Sequence, residues 1–122
     1  MMRILIVEDD EALSESLCAV CRMMRHDVAT VASLAEAVAA LGREPFDLVI
    51  ADHMLDGPYR GMDLLRWLDR HHPQLPFVLM SGAPVAGFHP RPPLRTFLPK
   101  PFFVSDLERL LSRPVAMLQN EA

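Results

Sequence analysis

Four consecutive apolar residues, Leu48, Val49, Ile50 and Ala51, run straight into Asp52, with Pro45 before them and Gly57 and Pro58 after. A run this short, β-branched at its centre and without polar alternation, reads as a strand buried on both faces, which belongs in a parallel sheet covered by helices. The pattern recurs near the amino terminus, where Ile4, Leu5, Ile6 and Val7 lead into Glu8, Asp9 and Asp10. Two buried strands thus deliver carboxylates at one edge. In an open α/β sheet the crevice beyond the carboxyl ends of the strands is where ligands bind, so these acids are candidates for chemistry as well as for helix capping.

The rest of the chain alternates in the same way. Leu13, Leu17, Val20, Cys21 and Met24 recur at spacings of three and four, which predicts an amphipathic helix from Glu11 to about Arg25. Residues 26–31 read as a short edge strand. Ser33 opens a second helix through Leu34, Val38 and Leu41, with Gly42 as its stop. A third helix runs from Met62 to about His71, burying Leu64, Leu65 and Leu68 with Trp67 at its flank, and ends before Pro73. Residues 75–80 form a fourth strand ending in Ser81 and Gly82, and Thr96 to Pro99 form a fifth that ends at Lys100.

Between those last two strands stand Pro84, Gly87, Pro90, Pro92 and Pro93. Proline lacks the helical N–H and clashes with the preceding turn, so the helix at this place is short or absent. A last helix covers Val104 to Ser112, with Leu107, Leu110 and Leu111 inward and Ser105 and Glu108 as a capping box. Pro114 kinks or restarts it, leaving a tail over residues 114–122. The alternation predicts a three-layer α/β domain, flavodoxin-like, around five parallel strands in the order 2-1-3-4-5.

At 122 residues the chain is expected to be one domain, with its core in residues 1–113. A formal net charge of -4 argues against a nucleic-acid surface. No stretch reaches the roughly 18 apolar residues that cross a bilayer, and the N-terminus lacks a signal-peptide pattern, which points to a cytoplasmic protein without membrane contact. Cys18 and Cys21 lie inside an apolar helical pattern without a second ligand pair, so packing is their expected role. His71 and His72, at a helix end, read as surface residues that complement the helix dipole.

With strands in that order, the ends of strands one, three, four and five bring Glu8, Asp9, Asp52, Ser81 and Lys100 to one crevice. Three carboxylates held together repel one another unless a cation is supplied, and an oxygen-rich site with few protein ligands suits Mg²⁺. Lys100 adds a second positive charge, Ser81 a hydroxyl, and Gly82 room for a ligand beside the backbone. This equipment can hold a tetrahedral anion while a carboxylate attacks it, as in phosphoryl transfer.

Ile4 to Asp10 (ILIVEDD), Asp47 to Asp52 (DLVIAD), the Met80-Ser81-Gly82 turn and Phe97 to Phe102 (FLPKPF) together resemble the receiver domain of two-component response regulators. The resemblance implies a phosphoacceptor signalling domain that catalyses its own phosphorylation and dephosphorylation. Asp52 would take a phosphoryl group from a phosphohistidine on a sensor histidine kinase or a histidine phosphotransfer protein. Asp9, Asp52 and the backbone carbonyl of Met54 would ligate Mg²⁺, with Glu8 acting through water. Ser81 and Phe97 would form the switch, the backbone at Met54 and Gly82 would line the phosphoryl pocket, and Lys100 would pair with a phosphoryl oxygen after a cis bond to Pro101. Asp10 matches no ligand and is left as a helix cap.

The chain also departs from that pattern. Asp56 stands where the family usually carries proline, and the loop from Gly57 to Gly61 is of altered shape. The shortened segment after Ser81 resembles receivers attached to hybrid sensor kinases more than those of DNA-binding regulators. Met54 and Ala83, at positions that tune phosphoryl loss in the family, offer no polar group to position water. A binding-only receiver would have lost an acid or the lysine, and a dehalogenase-type hydrolase would carry an acid where Met54 stands. The paired starting methionines and the lack of an output domain favour a free-standing protein.

Overall fold

A computed structural model describes residues 1–121, and the side chains of residues 1–112. Five strands, β1 (Arg3–Val7), β2 (Asp27–Val31), β3 (Leu48–Asp52), β4 (Phe77–Ser81) and β5 (Arg95–Pro99), form one sheet in the order β2-β1-β3-β4-β5. Every pairing in it is parallel. The helices are α1 (Glu11–Met23), α2 (Leu34–Arg43), α3 (Gly61–His71) and α4 (Val104–Glu121). The expected flavodoxin-like topology is therefore the one observed. Helix α4 continues through Pro114 to Glu121, past the end expected at Ser112; the side chains of residues 113–122 lie outside the described residues.

Alternation along the strands builds two cores. Ile4, Ile6, Leu48, Ile50, Val78 and Met80 face α1 and α4, where Leu17, Cys18, Cys21, Leu107 and Leu111 meet them. Leu5, Val7, Val49, Ala51, Phe77 and Leu79 face α2 and α3. The central strands read as unbroken apolar runs because both of their faces are buried.

Segment 82–94 contains no helix. It is a series of turns closed by an antiparallel bridge between Arg91 and Arg95, and it holds a cis Pro92–Pro93 bond. Val85 and Phe88 from this segment pack on the α3 side of the sheet, filling space that a regular helix would otherwise cover. Beneath it lies Arg95, 1% exposed. Its guanidinium donates to Asp69 Oδ1 at 2.8 and 3.1 Å, to the carbonyls of Leu75 and Leu94 at 2.7 and 2.8 Å, and to that of Pro73 at 3.3 Å. This arginine, one residue before the strand expected from Thr96, ties α3, the turn before β4 and the start of β5 together.

Two local expectations need correction, and the reading of the cysteines as packing residues stands. Helix α2 passes through Gly42 to Arg43, because Gly42 is exposed and nothing packs against it; its buried face is Ala37, Ala40 and Leu41. The start of α4 is capped by Asp106, whose carboxylate accepts from the Phe103 N–H at 2.9 Å, in place of the Ser105 and Glu108 box. Cys18 and Cys21 are buried free thiols, and burial pushes Cys21 up to about 11, so packing is their role.

Candidate functional site: an acidic pocket closed by a lysine

Register delivers the site. Val7 pairs with Ala51, Asp52 with Met80, and Ser81 with Pro99, so the residues that follow each strand lie side by side at one edge. The turn after β3 is held by the His53 N–H donating to Met80 O at 2.9 Å and the Gly61 N–H donating to His53 O at 2.9 Å. Asp10 caps α1 by accepting from the Leu13 N–H, which leaves Glu8 and Asp9 free for the pocket.

Within it, carboxylate oxygens of Glu8, Asp9 and Asp52 lie within 4.8 Å of one another. Lys100 closes the group, its Nζ 2.8 Å from Asp52 Oδ2 and 3.6 Å from Glu8 Oε1. The other oxygen of Asp52 accepts from the Met54 N–H at 3.2 Å. The Lys100–Pro101 bond is cis, as the resemblance implied.

The electrostatics are unbalanced. Glu8 is 3% exposed, and its Oε1 has no hydrogen-bond partner. Burial, and then the adjoining Asp52 carboxyl, push Glu8 up to about 7. Burial works against the Lys100 ammonium, but Asp52 and Glu8 outweigh it and hold its pKa above the usual value. One lysine thus faces three acids.

Such a set fits Mg²⁺: convergent hard oxygen donors, excess negative charge, and a buried carboxylate oxygen that no protein donor satisfies. Asp9 and Asp52 would be the direct side-chain ligands, with Glu8 acting through water.

Other expected residues stand at the rim. Ser81 is buried at the end of β4, but its hydroxyl donates to Ala83 O at 2.8 Å and accepts from the Ala83 N–H at 3.2 Å, so it is engaged with its own loop. Phe97 is half-buried and lies 5.9 Å, centroid to centroid, from Phe88. The Met54 side chain is exposed. At Gly82 a Cβ would meet nothing within 4 Å, so the space beside its backbone is open and no protein atom demands a glycine there.

Gly61 is the glycine that crowding does demand. A Cβ there would fall 2.6 Å from Asp52 O, 2.8 Å from Leu79 Cδ1 and 2.9 Å from His53 Cα. Its signal in sequence was only its place at the end of an irregular loop. Asp56 was visible as a departure but not as a neighbour of the site. Its N–H donates to Asp9 Oδ2 at 2.8 Å, and contact with the Asp9 carboxyl holds its own pKa above the usual value. Arg60 fixes this loop, its Nη1 donating to Leu55 O at 2.9 Å and Gly57 O at 3.1 Å.

Comparison with known proteins agrees with this geometry. The chain matches the response regulator receiver domain family over residues 4–112. It is 39% identical over 111 residues to the transcriptional activator protein PfeR of Pseudomonas aeruginosa, covering 87% of this chain and 35% of that protein. It is 38% identical over 80 residues to the response regulator protein FleR of the same organism, covering 66% of this chain and 17% of FleR. The chain therefore spans about a third or less of these relatives. Among solved structures it is similar to the non-phosphorylated HemR receiver domain of Leptospira biflexa, with a TM-score of 0.81, 30% identity and 94% of each chain covered. It also resembles the receiver domain of the hybrid histidine kinase CckA, with a TM-score of 0.74, 27% identity, and 92% of this chain and 97% of that one covered. With fold, pocket and family match in agreement, the chain belongs to the response regulator receiver domains, the phosphoacceptor signalling domains of two-component systems.

Proposed function

We propose that Asp52 is the phosphoacceptor, taking its phosphoryl group from a phosphohistidine on a sensor histidine kinase or histidine phosphotransfer protein. The observation that carries this is Lys100 Nζ at 2.8 Å from Asp52 Oδ2, in the same pocket as Glu8 and Asp9. A carboxylate held between an ammonium and the Met54 N–H is oriented before a substrate arrives, and orientation is what a loose phosphoryl-transfer transition state requires.

In the step, a carboxylate oxygen of Asp52 bonds to phosphorus as the bond from phosphorus to the imidazole nitrogen breaks. The leaving nitrogen keeps that electron pair. Lys100 then pairs with a phosphoryl oxygen instead of the carboxylate it holds at rest. Ser81 gives up Ala83 O and donates its hydroxyl to another phosphoryl oxygen. A Mg²⁺ held by Asp9, Asp52 and the Met54 carbonyl, with Glu8 through water, would supply neutralisation of the developing charge. The switch is completed as Phe97 turns inward, which requires its ring to leave Phe88. Met54 and Ala83 offer no polar side chain to direct a hydrolytic water, so phosphoryl loss proceeds without their help.

The reading includes a cytoplasmic location, where such donors present their phosphohistidine; no described helix is long and apolar enough to cross a membrane. The test is incubation with labelled acetyl phosphate and Mg²⁺. Wild type is expected to take up label and Asp52→Asn none, while Lys100→Ala is expected to take it up more slowly and to lose the Ser81 rearrangement seen by NMR. Absence of label on folded wild type with both acetyl phosphate and a phosphorylated kinase would refute the assignment.

A further inference from the structure

Asp56 is placed with care. Leu55 before it is buried, Gly57 after it sits at φ +91°, and Arg60 pins the carbonyls on either side. The glycine takes the left-handed conformation that other residues resist, and the arginine fixes the shape of the turn around Asp56. Asp56 itself is exposed, and its N–H donates to Asp9 Oδ2 at 2.8 Å, which sets it beside that carboxylate. No basic side chain among the described residues pairs with it. Arg60, the cation of this loop, is turned onto backbone carbonyls instead.

An acidic residue tied by its backbone to a carboxylate of the pocket, in a turn that Arg60 fixes, needs a reason. An independent feature of the same pocket supplies it: the buried Oε1 of Glu8, without a hydrogen-bond partner among the described residues, belongs to the cluster that Asp9 shares. Glu8, Asp9 and Asp52 share one lysine, and Asp56 adds a fourth acid beside Asp9. A proline at this position would supply neither the N–H nor the charge.

We infer that the Asp56 carboxylate is a fourth acidic group of the cation site, strengthening the hold on a divalent ion from just outside the three-carboxylate cluster, while its N–H orients Asp9. This rests on the divalent-cation reading given above. A unit charge outside direct ligation distance, in water and weak salt, alters divalent affinity by roughly three- to fivefold.

The test is Mg²⁺ affinity by isothermal titration calorimetry, with Mn²⁺ affinity by electron paramagnetic resonance of the free ion. Asp56→Asn keeps the backbone N–H and removes the charge. It is expected to bind both ions roughly three- to fivefold more weakly at low salt, with the difference shrinking toward nothing at about 0.5 M KCl. Glu44→Gln, which makes the same change in net charge beside Arg3 at the opposite edge of the sheet, is expected to match wild type. Asp56→Asn affinities equal to wild type, or an equal loss in Glu44→Gln, would overturn the inference. Wild type that binds neither ion would overturn the cation-site reading itself, and the role of Asp56 with it.

Discussion

Replacing Glu8 by glutamine isolates the repulsion among the carboxylates of the pocket. Glu8 is buried against Asp52, and its pKa rises from 4.5 to about 7. Because the folded value lies above the unfolded one, the native state holds this proton more tightly, and stability present at low pH is lost as pH rises through this window. The full linkage amounts to about 3 kcal/mol. Lys100 and Asp9 are only partly buried and let water reach the pocket, so about 1–2 kcal/mol of it is expected to show. Without metal at pH 8, Glu8→Gln should therefore be more stable than wild type by that amount, a rise in Tm of roughly 4–8 °C for a chain of this size. At pH 5 the advantage should shrink toward zero. Saturating Mg²⁺ should reverse the order, since wild type gains binding free energy that the variant lacks. Urea unfolding followed through the single tryptophan, Trp67, at pH 5 to 8 with EDTA or Mg²⁺, measures all of this. A variant less stable than wild type at pH 8 in EDTA, or a difference that ignores pH, would refute the reasoning.

Arg95→Met should cost about 3–4 kcal/mol in urea unfolding, since it strands the carbonyls of Leu75, Leu94 and Pro73. A loss below about 1 kcal/mol would show that water replaces the guanidinium. Gly61→Ala sets helix propensity, which favours alanine by about 1 kcal/mol, against a Cβ 2.6 Å from the Asp52 carbonyl. The clash should win, for a net loss of about 1–3 kcal/mol and slower phosphoryl uptake, and a stabilised variant would contradict the packing described here.

The strands and the meeting of Glu8, Asp9, Asp52 and Lys100 were legible in sequence because both follow from local pattern and a single topological rule. Four apolar residues ending in an acid identify a buried strand, and parallel order carries the strand ends to one edge. The loss of the helix after Ser81 was legible too, because proline acts locally. Burial of Arg95 was not, since its partners at Asp69, Pro73 and Leu75 come from other elements and an arginine at a strand start looks like a surface charge. Gly61 was hidden for the same reason: the atoms its Cβ would strike belong to Asp52, His53 and Leu79. The resting bond from Ser81 to Ala83 lies within two residues but depends on a rotamer that sequence does not encode. At Gly42 a stop signal yielded to context, because an exposed glycine costs a helix only about 1 kcal/mol.

The most direct test is to locate the phosphoryl group chemically. An acyl phosphate is reduced by borohydride to the alcohol, so aspartyl phosphate becomes homoserine, which peptide mass spectrometry reads at a single position. After exposure to Mg²⁺ and a phosphodonor, homoserine is expected at residue 52 of wild type and nowhere in Asp52→Asn. Homoserine at residue 9 or 56 instead, or wild type left unmodified, would contradict the central claim that the carboxylate held by Lys100 is the one that accepts phosphate.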